Sequence, residues 1–233
     1  MIGLVLTNVP LFADFSRADL DALSRRLRPH RYAKGSLIHA AGAMGGDLYI
    51  IESGRVKLQL PSERGQELVF RLLGRNDFFG ELSLIDDGPW FGDAIALDEC
   101  RLLLLAKHHF LDLLDNHRGM SRRLLTIICG RLRHNARFAQ ELAFLDVPTR
   151  LARTLVALIE SDGWGWDGDG RPPALPQIEI TQSALAAHVG ASRETVNKWL
   201  GYYERQGYIS CKRDSITLLR LEDLRSRAGV ASR

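Results

Sequence analysis

Residues 180–209, ITQSALAAHVGASRETVNKWLGYYERQGYI, decide how this chain is read. Thr181 fits a helix N-cap, because a threonine oxygen accepts a hydrogen bond from a backbone N–H that the helix leaves unpaired. Leu185 and Val189 recur at helical spacing and mark the buried face of a first short helix. Gly190 stands where the chain must turn sharply. Ser192 fits the cap of a second helix whose buried face carries Val196 and Leu200. The exposed first turn of that helix is then Arg193, Glu194, Asn197 and Lys198. Side chains of these types, at this place, can reach base edges in a DNA major groove. Gln182, Ser183 and Ser192 are candidates for phosphate contacts that position the helix without reading sequence.

Working outward, the segments Tyr208–Cys211 and Ile216–Leu219 flank a polar turn, Lys212–Ser215. That pattern is a β-hairpin, so the segment as a whole reads as a winged helix-turn-helix. The tail from Glu222 to Arg233 is polar and is expected to fray. Upstream, residues 161–177 are rich in Gly, Asp and Pro and read as a loop, with Trp164 and Trp166 pinning it to the surface. A helix with Leu151, Leu155, Leu158 and Ile159 on its apolar side precedes the loop. Asp146-Val147-Pro148 breaks the pattern and marks a hinge and domain boundary.

Before the hinge runs a long helical pattern from near Met120 to Leu145. Its seam steps by three or four residues through Met120, Leu124, Ile128, Leu132, Asn135, Phe138, Leu142 and Leu145. At 1.5 Å per residue this helix is roughly 39 Å long. One apolar seam on so long a helix calls for a partner surface, and a second copy supplies one. Leu124, Ile128, Leu132, Asn135, Phe138 and Leu142 are the expected dimer seam. Asn135 within it costs stability but fixes register.

From His30 to about Ala106 the texture is different. Short apolar runs of strand type alternate with glycine-bearing turns, which points to an all-β sandwich or barrel-like roll. Ser62-Glu63-Arg64-Gly65 fits a hairpin turn. Residues 8–28 read as a helical lead-in capped by Ser16, with Leu20, Leu23 and Leu27 on one face and Pro29 ending it. The expected fold is therefore α+β. A sensor-like β-roll covers residues 1–115, a dimerisation helix 116–146, and a winged helix-turn-helix 147–233.

Bulk properties narrow the function classes. The chain has 233 residues and a formal charge of +3, so no overall basic field announces nucleic acid. Six arginines and no acid lie between Asn116 and Gln140, which reads first as a solvated helix face. Three widely spaced cysteines, Cys100, Cys129 and Cys211, lack C-x-x-C spacing. That argues against a disulfide framework or an iron–sulfur cluster and for a reducing cytoplasm. The start lacks the charge and apolar core of a signal peptide, and no apolar run reaches the ~20 residues that span a membrane. No Ser/His/Asp arrangement, metal spacing or P-loop supports an enzyme, and Gly168-Asp169-Gly170 completes no phosphate motif. The seven histidines form no diagnostic haem pair, and His188 reads as a surface residue.

Three segments, in order, resemble the Crp/Fnr family of bacterial transcription regulators, and the resemblance covers nearly the whole chain. Asn76-Asp77-Phe78-Phe79-Gly80-Glu81-Leu82-Ser83-Leu84 resembles the start of the family's phosphate-binding cassette. Leu142-Ala143-Phe144-Leu145-Asp146-Val147, with Arg150, resembles its end-of-helix hinge. Gly190-Ala191-Ser192-Arg193-Glu194-Thr195-Val196 resembles its recognition helix. The resemblance implies a homodimer that reads an inverted repeat of TGTGA-type half-sites in double-stranded DNA, works with RNA polymerase, and responds to a small effector. Arg193 and Glu194 fall on its base-reading positions. Lys198 stands where the cyclic-AMP-responsive branch has a second arginine, and lysine donates as a point charge rather than a planar fork.

The same resemblance assigns the effector pocket to Gly80, Glu81, Leu82, Trp90, Phe91, Gly92 and Asn135. Backbone N–H groups at Gly80–Leu82 would hold a cyclic phosphate, and Glu81 a ribose hydroxyl. The family's phosphate-neutralising arginine falls on Phe91, and its following serine or threonine on Gly92. Asn135 and Ala136 replace the groups that face adenine. Losing one partner of a buried ion pair costs ~3–5 kcal/mol. Ordinary cyclic AMP is therefore not the expected effector. Open alternatives are another cyclic nucleotide or a cyclic dinucleotide such as cyclic di-GMP, a vestigial pocket in a constitutive regulator, or phosphate binding through Arg71 or Arg75. Trp90 and Phe91 read equally as effector contacts or as loop packing. Glu81 can serve as a structural acceptor.

Overall fold

The computed structural model describes residues 5–61, 67–160, 175–213 and 215–229. The expected turn at Ser62–Gly65, the tryptophans 164 and 166 and the run 168–170 lie outside the described residues. Two compact units divide the chain at Asn135 and Ala136, inside the long helix.

In the first unit, helix α1 (Arg17–Ser24) starts in a capping box. Ser16 Oγ accepts the Asp19 N–H at 3.2 Å, and the Asp19 carboxylate accepts the Ser16 N–H at 3.1 Å. The helix ends before Leu27, which opens a strand instead of extending the helical face. β1 (Leu27–Tyr32) contains Pro29 and, among the described strands, pairs only with β8 (Cys100–Ala106), so it is an edge strand. A proline that cannot donate is tolerated there.

Eight described strands form the roll. β1, β8, β3 (Asp47–Ser53) and β6 (Phe78–Phe79) make one antiparallel sheet in that spatial order. β2 (Leu37–His39), β7 (Asp93–Ala96), β4 (Val56–Pro61) and β5 (Glu67–Leu73) make the other. Side-chain alternation splits β3 between two cores. Leu48 and Ile50 join Leu103, Leu105 and Phe110 on the helix-covered face. Tyr49 and Ile51 join Val56, Phe79, Trp90 and Leu102 inside the roll. The short helix α2 (Glu81–Ile85) follows β6, and α3 (Lys107–Asn116) follows β8. α4 (Arg118–Phe144) is the long helix, spanning 27 residues.

The second unit is built on α5 (Val147–Glu160), whose Leu151, Leu155, Val156, Leu158 and Ile159 are buried. Asp146 caps it by accepting the Thr149 N–H at 3.0 Å, and Pro148 sits in its first turn, where no donor is needed. α6 (Gln182–Val189) and α7 (Arg193–Arg205) are the two expected short helices. The wing has three strands rather than two. β11 (Ser215–Leu218) pairs with β10 (Ile209–Lys212) and also with β9 (Gln177–Glu179), antiparallel throughout. The expected frayed tail is corrected as well. Leu221–Arg227 forms helix α8, with Leu224 and Ala228 fully buried. Arg225 pairs with Glu160 at 2.7 Å, and Arg153 donates to the Ala228 carbonyl at 2.7 Å.

Candidate functional site

The reader is assembled by caps. Thr181 Oγ1 accepts the Ala184 N–H at 3.2 Å and starts α6. Gly190 ends it in the left-handed conformation, φ 65°, which a residue with a Cβ adopts at a cost. Ser192 Oγ then accepts the Thr195 N–H at 3.2 Å and starts α7. Val196, Leu200 and Tyr203 are buried, and the Tyr203 hydroxyl donates to the Pro148 carbonyl at 2.7 Å. This packing leaves Arg193, Glu194 and Lys198 exposed on one end of the helix. The Glu194 backbone N–H and Ser192 hold the Glu194 carboxyl below its ordinary range, so it is an acceptor at neutral pH. Ser183 is exposed beside them and Gln182 half-buried. Asn197 differs from expectation. It is half-buried and its Oδ1 is enclosed, which leaves only its amide nitrogen for an outside partner.

Arg150 fixes this reader to the end of the long helix. Its guanidinium donates to the carbonyls of Leu145 at 2.7 Å, Val189 at 2.9 Å and Gly190 at 3.2 Å. Leu145 and Val189 lie at helix C-termini, where carbonyls lack intrahelical donors. One side chain thus satisfies the ends of α4 and α6 together.

The cassette is built around a left-handed Gly80, φ 93°, where a Cβ would meet the Asp47 carbonyl at 2.7 Å. Glu81 follows and is 3% exposed. Its Oε1 accepts from Arg131 Nη1 at 2.5 Å, while Arg131 Nη2 donates to the Phe78 carbonyl at 2.7 Å. The guanidinium also lies over the Phe78 ring, 4.6 Å from its centre. Glu81 Oε2 is buried with no hydrogen-bond partner among the described residues. That orphaned oxygen suits a hydroxyl donor, as the ribose role requires.

The phosphate half of the cassette fits less well. Phe91 is 63% exposed and packs edge-on against Phe70. A Cβ on Gly92 would meet the Gln59 carbonyl at 2.5 Å, so a serine or threonine cannot stand there on this backbone. Trp90 belongs to the core. It stacks on His39 with ring centres 3.9 Å apart, and its indole N–H donates to the Gly45 carbonyl at 2.8 Å. One ring face is therefore closed to an effector. Nearby acids are engaged locally: Asp93 accepts the Ala41 N–H, Asp86 the Gly88 N–H, and Asp87 pairs with Lys107. The cavity bordered by Gly80, Glu81, Leu82, Phe91 and Gly92 holds about 70 Å³. Ligand clefts usually hold about 300–1,000 Å³. Asn135 is exposed on α4 and does not line it; Arg131 does. Of the two alternative arginines, Arg71 borders a different cavity and Arg75 borders neither.

The residues of the expected dimer seam differ in burial within the chain. Met120 and Leu124 are buried in the roll's own core, with Ile128 packed against them. Leu132 is 67% exposed and Leu125 64%. Leu125, Cys129, Leu132, Ala136, Ala139 and Ala143 form an exposed row at three- and four-residue steps. Helical periodicity shows an apolar stripe but not which of two neighbouring stripes serves the fold. Phe138 and Leu142 are half-buried. Among the described residues no group of His, Cys, Asp and Glu has metal-holding geometry, and no helix is long and apolar enough to cross a membrane.

Residues 29–117 match the cyclic nucleotide-binding domain and residues 149–227 the Crp-like helix-turn-helix domain. A CRP-like cAMP-activated global transcriptional regulator of Mycobacterium tuberculosis is 32% identical over 224 residues, covering 96% of this chain and 98% of that protein. The chain belongs to the Crp/Fnr family. A cyclic AMP receptor protein of Thermus thermophilus is 30% identical, covering 86% and 88%. The solved structure of a CRP/FNR-family transcriptional regulator, also from Thermus thermophilus, superposes with a TM-score of 0.73 at 28% identity, covering 88% of this chain and 100% of that one. This member of the family is a DNA-binding transcription regulator with an effector-type β-roll. The contact made by Arg131 is not legible in the sequence, where it stands in a run of six that reads as a solvated face; Arg150 is legible as part of the hinge, but nothing near it points to its three acceptors. The signal available for Arg131 is its spacing of seven from Leu124, which places it on the roll-facing side.

Proposed function

We propose that the protein acts as a homodimer in the cytoplasm, reads an inverted-repeat operator, and performs no catalysis of its own. The observation that carries this is the exposed start of α7, where Arg193, Glu194 and Lys198 form no ion pair among the described residues. An arginine fork matches guanine O6 and N7, and a carboxylate accepts from cytosine N4. Two copies joined through the Leu125–Ala143 row would present two such helices to grooves about 34–36 Å apart. RNA polymerase is the partner that such positioning on DNA serves.

For the effector we propose a cyclic nucleotide or cyclic dinucleotide, bound without an arginine in the cassette. Relatives are named for cyclic AMP. Phe91 and the closed space at Gly92 support a ligand other than ordinary cyclic AMP for this chain. A second reading rests on the Arg131–Glu81 pair: the roll satisfies its own carboxylate, and the regulator binds DNA constitutively.

Fluorescence anisotropy with a labelled duplex tests these readings. An inverted TGTGA-type repeat should bind more tightly than a single half-site. Addition of cyclic AMP, cyclic GMP or cyclic di-GMP separates a gated regulator from a constitutive one. Equal affinity for specific and scrambled duplexes, with and without each nucleotide, would refute the reader assignment. Sedimentation of Leu132→Asp should show a monomer, and a dimer there would move the seam elsewhere.

A further inference from the structure

Arg131 borders two cavities. One is the cassette cavity. The other is larger, about 330 Å³, and is bordered by Arg71, Asp77, Phe78, Ile127, Arg131 and His134. Its size is within the usual range for a small-molecule site. The cassette cavity offers a ligand apolar rings and one carboxylate, and no cation beyond Arg131. The larger cavity has both guanidinium groups.

These two arginines are satisfied unequally. Arg131 gives one nitrogen to Glu81 and another to the Phe78 carbonyl. Arg71 is half-buried on β5 and forms no ion pair among the described residues. A guanidinium withdrawn from water without a counter-charge is costly. Burial and then the Arg131 charge pull the Arg71 pKa down, and the charges of Glu81 and Asp77 oppose this without reversing it. Asp77 is engaged elsewhere, accepting the Gly74 N–H at 2.8 Å. An anion between Arg71 and Arg131 would supply the missing charge.

We propose that this cavity seats the anionic group of the effector: a phosphate-bearing small molecule held by Arg71 and Arg131, with His134 at its edge. The proposal rests on the roll being the effector-receiving unit. It also gives the ligand a path of action. A phosphate that draws on Arg131 weakens the Arg131–Glu81 pair and releases the buried carboxylate into the cassette. Because Arg131 is carried by α4, occupancy is felt by the long helix directly. The cassette's missing arginine is then explained by relocation of the phosphate seat across Arg131.

Calorimetry on the full chain tests this with three probes: inorganic phosphate, cyclic AMP and cyclic di-GMP. At least one should bind. Arg71→Met should weaken that binding roughly ten- to a hundredfold, as expected for a charge-assisted contact. Arg71→Lys should retain part of it. Arg31→Met, which removes an exposed charge of the roll that borders neither cavity, should leave it unchanged. Binding of inorganic phosphate competing with the nucleotide marks the shared seat; nucleotide binding alone assigns it to a phosphodiester. Thermal unfolding of each variant confirms a folded roll. If a cassette variant, Phe91→Ala, loses binding and Arg71→Met does not, the effector reading stands and the seat is wrong. If no probe binds at millimolar concentration, both fail.

Discussion

Glu194 and Glu81 both stand in the first turn of a helix, yet their surroundings are opposite. Glu194 is exposed on α7, in a helix capped by Ser192, and has no ion-pair partner among the described residues. Glu81 is buried at the start of α2, behind a left-handed glycine that supplies no side-chain cap, and is paired with Arg131. A carboxylate near a helix N-terminus is favoured in both places by the helix dipole. What differs is where the counter-charge comes from. In the reader it must come from outside, whereas in the sensor the chain supplies it in Arg131 and leaves one oxygen, Oε2, without a hydrogen bond. The first arrangement is ready to bind; the second must be opened.

The largest expected effect comes from opening the second by force. Arg131→Met leaves a buried carboxylate unpaired, and the roll should lose about 3–5 kcal/mol in urea unfolding. The double variant Arg131→Met, Glu81→Met removes both charges and should recover most of that loss. If the single variant unfolds like the parent, Glu81 is not held as an ion pair and the contrast with Glu194 disappears. Glu194→Gln, by comparison, should leave stability within the roughly ±0.5 kcal/mol typical of surface changes.

The reader should respond in affinity instead. Arg193→Ala should cost about 1–3 kcal/mol against the guanine-bearing half-site and relax selectivity at that base pair. Lys198→Ala should weaken binding less, because a lysine can be replaced by solvent cations at a phosphate and is not a planar fork at a base. A uniform loss across all sequences for Arg193→Ala would reassign it to the backbone. Smaller again is the effect of the caps. Thr181→Ala and Ser192→Ala should each cost about 1 kcal/mol in unfolding of the second unit. Their measured cost reports how much of the reader's shape depends on side-chain caps rather than on the buried Leu185, Val196 and Leu200.

The difference between the two regions also governs what can be read from sequence. In the reader, each signal is local: a cap, an apolar step of four, a glycine turn and a polar first turn. All of these lie within residues 180–209, and the helices follow them closely. In the sensor the deciding contact joins Glu81 to Arg131, 50 residues apart. Nothing local marks Arg131 among its neighbouring arginines. The strands of the roll are legible as alternating apolar runs with turns. The split of β3 between two cores is not, because a strand buried on both faces has no alternation to show. Trp90 is ambiguous between ligand contact and packing for the same reason: its partners, His39, Tyr49 and Gly45, are distant in sequence. The tail helix is hard to see because only Leu224 and Ala228 among polar residues signal its docking.

The smallest effect, a rate rather than an energy, sharpens the comparison at the helix that belongs to both regions. Cys129 lies exposed in the row from Leu125 to Ala143. Cys211 is half-buried in the wing, and burial followed by the Glu204 charge raises its pKa to about 11. Burial also raises the pKa of Cys100, whose thiol donates to the Arg55 carbonyl at 3.2 Å. The thiolate is the reacting form, so at pH 8 a thiol with a pKa near 11 has roughly 0.1% of it. Alkylation should therefore modify Cys129 first, by mass spectrometry, with Cys211 and Cys100 following slowly. Because Cys129 sits in the proposed seam, its rate should fall as protein concentration rises and copies pair. Leu132→Asp should abolish that dependence while leaving the other two thiols unchanged. A Cys129 rate that ignores concentration in the parent chain would place the partner copy on another face of α4, and the exposed row would then need a different explanation from the one the reader's symmetry demands.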